Sequence, residues 1–218
     1  VRLWENDCAL GNMDRAIRGV TQTGGTTMPR IKQTTVFQFN ELSDTAKERA
    51  RQKYREQGFD YEWYGGTFDD AKNCLNLAGF KIERIFFSGF SSQGDGACFE
   101  GTWSAEAARP VKAMKQHAPT DKRLHAIAAA AREIAKRDKA AYAVIEHRGH
   151  YYHEYETDFS VDYERDDTEA AVVEVSREAM RWIYRRLEAE YDWLNADEQI
   201  DDSIRANEYE FNADGSLA

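Results

Sequence analysis

The chain has 218 residues, of which 42% are hydrophobic and 12% are aromatic, and its formal net charge is −10. This length and apolar content can bury one hydrophobic core, which excludes an intrinsically disordered chain, and no apolar run is long enough to span a membrane. An acidic surface repels the phosphate backbone of nucleic acids, so direct nucleic-acid binding is disfavoured.

The acidity is concentrated in the C-terminal third. From Glu146 to Asp214 the sequence holds 21 Asp or Glu but only 7 Lys or Arg, a formal charge of −14. Such a surface attracts a basic partner, although it also serves simple solubility. The cysteines are odd in number and far apart, which is typical of free thiols in a reducing compartment, and no signal-peptide pattern is present. We therefore expect a cytoplasmic protein; the cysteines are Cys8, Cys74 and Cys98.

Residues 1–27 show no sustained periodicity and end in the cluster Gly24-Gly25-Thr26-Thr27, which precedes Met28. This composition predicts a disordered N-terminal extension. Residues 28–218 are expected to form a single domain.

In chain order, alternating residues at 34–39 predict a first strand. Ser43 is a predicted helix N-cap, and the helix that follows it extends to about Gln57. A shorter helix is predicted at 68–77 and ends at Gly79, whose freedom at positive φ suits a helix C-terminus.

Two β-hairpins follow, and helices lie between and after them. The first hairpin pairs residues 81–90 with 97–103, and the second pairs 141–147 with 151–163. The predicted helices are a short one at 110–117 that Pro110 opens, a longer one capped by Thr120, the longest one capped by Thr168 and extending to about Leu194, and one at about 197–207 before a strand at 209–211. Because strands occur in pairs, the sequence predicts an α+β domain: a mainly antiparallel sheet of two hairpins plus edge strands, with helices on one face.

The segment between the strands of the first hairpin concentrates glycine and hydroxyl residues, and it supplies the first candidate binding residues. Glycines let backbone N–H groups converge on an anion, and neighbouring side chains add donors. The alternative is a long hairpin loop in which Gly94 and Gly96 provide positive φ and Asp95 forms the turn. The candidates are Ser88, Ser91, Ser92, Gln93 and Asp95.

The second hairpin carries three histidines, His147, His150 and His153, near Glu154. Successive residues of a strand point to opposite faces, so His150 and His153 cannot converge on one ion, and no metal site is predicted. His150, Tyr152 and Glu154 share one face of the predicted strand and are candidate binding residues.

No catalytic motif is present. The sequence lacks a Gly-x-Ser-x-Gly nucleophile elbow. Cys74 and Cys98 fall within a predicted helix and a predicted strand, where a buried inert thiol is expected. Neither a cofactor nor a catalytic residue is predicted.

Five segments carry a resemblance to known proteins; they are 41–47, 59–64, 85–97, 187–191 and 203–209. The most specific part is the Ser-Gly-Phe-x-Ser-Gln-Gly-Asp-Gly-Ala pattern at 88–97. These segments resemble a family of uncharacterised proteins carried by bacteriophages and prophages, some of which are labelled antitoxin of a toxin–antitoxin stability system. The resemblance covers Met28 to Ser216 and implies no catalytic or binding residue.

The charge distribution and the resemblance together lead to the expected function. We expect a phage or prophage accessory protein, an antitoxin-like or anti-defence factor of the bacterial cytoplasm, that binds another protein through its acidic surface. The alternative is a small enzyme or ligand-binding domain with a pocket near the 88–97 loop, which requires that both hairpins line one concavity.

Overall fold

Residues 33–218 are described by a computed structural model, and residues 36–218 of it form one compact unit. The predicted extension at 1–27 lies outside the described residues. The elements are β1 Phe37–Gln38, α1 Asp44–Gln57, α2 Gly65–Asn76, β2 Phe80–Ser88, β3 Gly96–Ser104, α3 Val111–His117, α4 Lys122–Arg137, β4 Tyr142–His147, β5 Thr157–Asp162, α5 Thr168–Leu194, α6 Asp197–Ala206 and β6 Glu210–Phe211.

Strands β2 to β5 form an antiparallel sheet in sequence order. In β4, Ala143 and Ile145 are buried, whereas Tyr142, Val144 and Glu146 are exposed. One face therefore packs on the core and the other faces solvent along this strand. Helices α2 and α5 pack on the buried face. The predicted α+β class is confirmed.

Helix α5 lies at the centre of the helical layer, with α4 packed against it and α3 against α4. The side chain of Trp182 on α5 donates its Nε1–H to Asp121 Oδ2 at 2.7 Å, at the start of α4. The apolar positions that the helical period assigns to the interior of α4 are all buried; they are Leu124, Ile127, Ala128, Ala131, Ile134 and Ala135.

A second, smaller core joins the two ends of the compact unit. Strands β1 and β6 pair, and α1 packs on α6. The buried residues of this core are Phe39, Leu42, Ala46, Ala50, Ile200, Ile204 and Phe211.

Several predicted boundaries are wrong. The strand predicted at 34–39 is only two residues long, because a 3-10 turn begins at Phe39 and the Glu41 carboxylate accepts from the Gln38 N–H at 2.8 Å. Helix α2 begins at Gly65, not at Phe68. The cap of α4 is Asp121 rather than Thr120, since its Oδ1 accepts from the Leu124 N–H at 2.9 Å.

Other local predictions are confirmed or refined. Ser43 caps α1 by accepting from the Ala46 N–H, and Gly79 adopts a φ of +97° after α2. Thr168 is the first residue of α5 rather than its cap, and its hydroxyl donates to the buried Asp138 carboxylate at 3.0 Å. Cys74 and Cys98 are buried free thiols. Among residues 33–218, no helix combines the length and apolarity that a membrane span requires.

Candidate functional site

The two hairpin loops, 89–95 and 148–156, lie side by side. In an antiparallel sheet of order β2-β3-β4-β5, both turns fall at the same end. A methyl group added to Gly96 would lie 2.6 Å from His153 Cβ, and one added to Gly94 would lie 3.1 Å from Tyr151 Cδ1. Glycine at these positions lets the loops pack in direct contact.

The 89–95 loop is organised around Asp95. Its Oδ2 accepts from the Ser91 N–H at 2.9 Å and from the Ser92 N–H at 2.6 Å. These two hydrogen bonds hold the pKa of the Asp95 carboxyl below its usual range, and the one from Ser92 contributes most. The amides that an external anion would need are already paired, so this geometry favours the hairpin-turn interpretation over anion binding.

Aromatic rings fix the other side of this loop. The Phe90 ring centroid lies 5.1 Å from that of Tyr191 and 5.5 Å from that of Tyr184 on α5. The Tyr184 hydroxyl also donates to the Gly89 carbonyl oxygen at 3.0 Å. The loop is therefore held in place before any partner binds.

The 148–156 segment is a loop, which corrects the prediction of a strand from Tyr151. Gly149 has a φ of +92°, and the Glu156 N–H donates to the His153 carbonyl in a turn. The Thr157 hydroxyl also donates to the Glu154 carbonyl at 2.9 Å. These local bonds replace the sheet hydrogen bonds, so the alternation of aromatic and polar residues does not mark two faces of a strand here.

Tyr152 and His147 cover part of the sheet. The Tyr152 ring stacks on Phe86 with centroids 5.6 Å apart and planes at 15°, and the His147 ring centroid is 4.8 Å from that of Phe86. Phe86 pairs with Cys98, which is fully buried. Burial raises the pKa of the Cys98 thiol to about 12, so it is not a nucleophile at neutral pH.

An open cleft of about 670 Å³ lies between the two loops. The exposed fraction is 53% for Tyr151 and 63% for Tyr155. Glu154 pairs with Arg181 of α5 at 3.3 Å, and Glu156 lies 3.8 Å from His153 Nε2. The lining residues are Gln93, Gly94, Asp95, Tyr151, His153, Glu154, Tyr155 and Glu156. We call this feature the loop cleft.

The side chains of the loop cleft are suited to bind a basic or an apolar group. Tyrosine rings bind cations and apolar groups on their faces and donate hydrogen bonds from their hydroxyls. The guanidinium carbon of Arg177 already lies 4.8 Å from the centroid of the Tyr155 ring. Carboxylates beside such rings add acceptors for a basic group.

Three of the predicted binding residues, Gln93, Asp95 and Glu154, line the loop cleft. The structure does not bring the others into it. Ser88 ends β2, Ser91 and Ser92 lie in the adjoining turn, Tyr152 lies against Phe86, and His150 is exposed outside the lining.

Sequence reasoning missed the aromatic part of the site, Tyr151 and Tyr155, together with His153 and Glu156. The signal that could have identified them is Arg148-Gly149, because a glycine after the first strand permits a long loop in place of a tight turn. The histidines and carboxylates of this loop form no three-ligand group among residues 33–218.

Comparison with known proteins places the chain in a family. Residues 63–197, which include α2 to α5 and both hairpin loops, match the family described as "Domain of unknown function (DUF8835)". No curated protein and no solved structure matches the chain. The matched segment covers more than half of the sequence, and the chain belongs to this family.

Proposed function

We propose that the protein acts by binding another protein through the loop cleft, as an accessory protein of a bacteriophage or prophage in the bacterial cytoplasm. Its role there would be that of an antitoxin-like or anti-defence factor. The observation that carries the binding proposal is the pair of exposed rings, Tyr151 and Tyr155, beside Glu154 and Glu156 in a cleft that both hairpin loops form.

Exposed tyrosines support a protein ligand because they dominate binding energy at protein interfaces. A tyrosine contributes a large contact area and loses little side-chain entropy. The loop that presents Tyr151 and Tyr155 is also held in place, because the Tyr152 ring stacks on Phe86 and the Thr157 hydroxyl donates to the Glu154 carbonyl. Preorganised loops lower the entropy lost on binding.

Charge favours a basic contact group on the partner. Three carboxylates elsewhere in the C-terminal third are paired with arginines of α1; they are Asp197, Asp201 and Asp214. Glu156 has only the half-buried His153 as a partner among the described residues. A Lys or Arg side chain in the cleft would meet this carboxylate and the tyrosine rings together.

The test compares the wild-type chain with Tyr151→Ala/Tyr155→Ala in a low-salt pull-down from a bacterial lysate. The matched control is Tyr163→Ala, because Tyr163 is 43% exposed and follows the opposite end of β5. We expect one stoichiometric partner with the wild type and the control, and at least about tenfold less with the double variant. Equal capture by all three proteins would contradict the proposal.

A ligand-binding or enzymatic role is the second candidate, and one specific observation favours it: residues of both hairpins line the same concavity. This second candidate predicts that Glu156 contacts a small molecule rather than a protein. Native mass spectrometry of the chain purified from a bacterial host would separate the two. A bound small molecule that is lost in Glu156→Gln, with no protein partner, would favour this candidate.

A further inference from the structure

Three side chains with metal-binding atoms meet between α2 and α3. Asp70 and Cys74 lie one turn apart on α2, and His117 is the last residue of α3. The ligand atoms of the three lie within 4.8 Å of one another, and Asp70 Oδ1 is 3.8 Å from Cys74 Sγ. This cluster is separate from the loop cleft and does not depend on the proposed function.

We propose that Asp70, Cys74 and His117 bind one Zn²⁺ ion. Zinc takes carboxylate oxygen, thiolate sulfur and imidazole nitrogen together, at about 2.0–2.3 Å in tetrahedral geometry. Two such ligands on one ion lie roughly 3.5 Å apart, close to the separation of Asp70 and Cys74 in the free cluster. A thiolate ligand disfavours Mg²⁺ and Ca²⁺, which prefer oxygen.

The backbone already arranges two of the three ligands. Residues four apart on a helix share a face, so α2 holds the Asp70 and Cys74 side chains side by side without any ion. Cys74 is only 2% exposed, whereas Asp70 and His117 are exposed. The ion would enter from the solvent side between the two exposed ligands and meet the sulfur at the edge of the core.

Neighbouring charges have other partners or lie outside the cluster. Asp121 lies near Cys74, but its two oxygens accept from the Leu124 N–H and from Trp182 Nε1–H. The basic residue Arg186 also lies near Cys74.

Three protein ligands leave one tetrahedral position for water or for a group from a partner. The bound ion would also join α2 to the end of α3, a helix of seven residues that gains little stability by itself. An ion that binds only the folded chain raises its melting temperature.

The experiment titrates the metal-free full chain with Co²⁺ and then displaces it with Zn²⁺. A Cys8→Ser background removes the thiol that lies outside the described residues. We expect one Co²⁺ per chain, with a near-ultraviolet thiolate-to-cobalt charge-transfer band, tetrahedral visible bands and a higher melting temperature. In Cys74→Ser the charge-transfer band disappears, and in His117→Asn the affinity falls at least about tenfold.

The matched controls are Asp69→Asn, next to Asp70 on the same helix, and His150→Asn, an exposed histidine elsewhere. Both should bind Co²⁺ as the wild type does. Because His117 is exposed, its variant keeps the fold even if Cys74→Ser does not. Absence of a thiolate band in the wild type, its persistence in Cys74→Ser, or equal affinity of His117→Asn and the controls would each overturn the proposal.

Discussion

Arg51 and Asp201 form a two-point ion pair that joins α1 to α6. Arg51 Nε lies 2.7 Å from Asp201 Oδ1, and Nη2 lies 2.8 Å from Oδ2. The side chains are only 19% and 13% exposed, and the Phe39 ring lies under the guanidinium at 5.8 Å. The hydrogen bond from Arg51 lowers the pKa of Asp201 below its usual range. The pair thus closes the small core made by the two ends of the compact unit.

Removing either partner should destabilise that core. Arg51→Ala leaves Asp201 with only the longer contact to Arg205, at 3.4 Å. Asp201→Ala leaves Arg51 with Glu48 at 3.3 Å and Asp197 at 3.7 Å. Because these contacts are weaker than the two-point pair, we expect each substitution to lower the free energy of unfolding by about 2 kcal/mol. The double variant should lose less than the sum of the two. Chemical denaturation measures these differences.

Lys53 and Glu56, an exposed pair on the same helix, provide the control. Lys53→Ala should change the free energy of unfolding by less than about 0.5 kcal/mol. If the double variant loses as much free energy of unfolding as the two single variants together, the two residues do not act as a pair.

The carboxylate of Asp138 is buried between α4 and α5. Its protonation should make the free energy of unfolding depend on pH. Burial by itself would raise its pKa, but the N–H groups of Glu164 and Arg165 and the Thr168 hydroxyl together hold its pKa below the usual range. Because the folded pKa lies below the unfolded value of about 4, the stabilisation is complete above pH ~4 and is lost as pH falls through the folded pKa.

Unlike a substitution in an exposed loop, Asp138→Asn removes the charge that strengthens these hydrogen bonds and places an amide N–H₂ group in a buried site. We therefore expect it to be less stable than the wild type by about 2 kcal/mol at pH 7 and to lose less stability on acidification. Urea denaturation at pH 7 and pH 3 checks both statements. Asp167→Asn is the control, since Asp167 is exposed and pairs with Arg137 at the surface. The same loss of stability between pH 7 and pH 3 in the wild type and in Asp138→Asn would contradict this role.

Periodicity predicted the helices well because each buried face repeats within a few residues. Leu124, Ile127 and Ala131 of α4 are an example. The same reasoning was wrong at 151–156, where an alternating pattern suggested a strand but hydrogen bonds within the segment form a loop. The alternative function placed a pocket near the 88–97 loop, and three of the predicted residues line the loop cleft. Most of its lining could not be predicted, because it depends on contact between two loops that are distant in sequence. The Asp70, Cys74 and His117 cluster depends in the same way on the approach of His117, at the end of α3, to two residues of α2.

Gly96 tests whether the contact between the hairpin loops matters. In Gly96→Ala the added methyl group would lie 2.7 Å from His153 Cα and 2.6 Å from His153 Cβ, so the 148–156 loop must move. We expect weaker partner capture. We also expect faster alkylation of Cys98, because its cross-strand neighbour Phe86 is covered by Tyr152 of this loop. Peptide mass spectrometry identifies the alkylated cysteine.

The control for this substitution is Gly66→Ala in α2, where an added methyl group meets nothing within 4 Å. It should leave alkylation of Cys98 unchanged and stabilise the helix by up to about 1 kcal/mol. If Cys98 is alkylated in Gly96→Ala at the wild-type rate, the conformation of the loops does not depend on this contact.

Two substitutions of Asp95 distinguish a turn-forming role from a direct binding role at the loop cleft. Both amide donors, from Ser91 and Ser92, reach the same oxygen, Oδ2. The single side-chain carbonyl of asparagine can accept both, so Asp95→Asn should keep the loop conformation, the melting temperature and partner capture. Asp95→Ala removes the acceptor and should lower the free energy of unfolding by on the order of 1 kcal/mol, with weaker capture.

A carboxylate that contacts the partner directly gives a different pattern. Both variants would then melt as the wild type does, because Ser91 and Ser92 are exposed and water can replace the lost acceptor, yet both would lose the partner. Thermal denaturation and the pull-down, run on the same preparations, distinguish the two outcomes. The position of Oδ2 between the two amides favours the turn-forming role, and loss of capture in Asp95→Asn at an unchanged melting temperature would reject it.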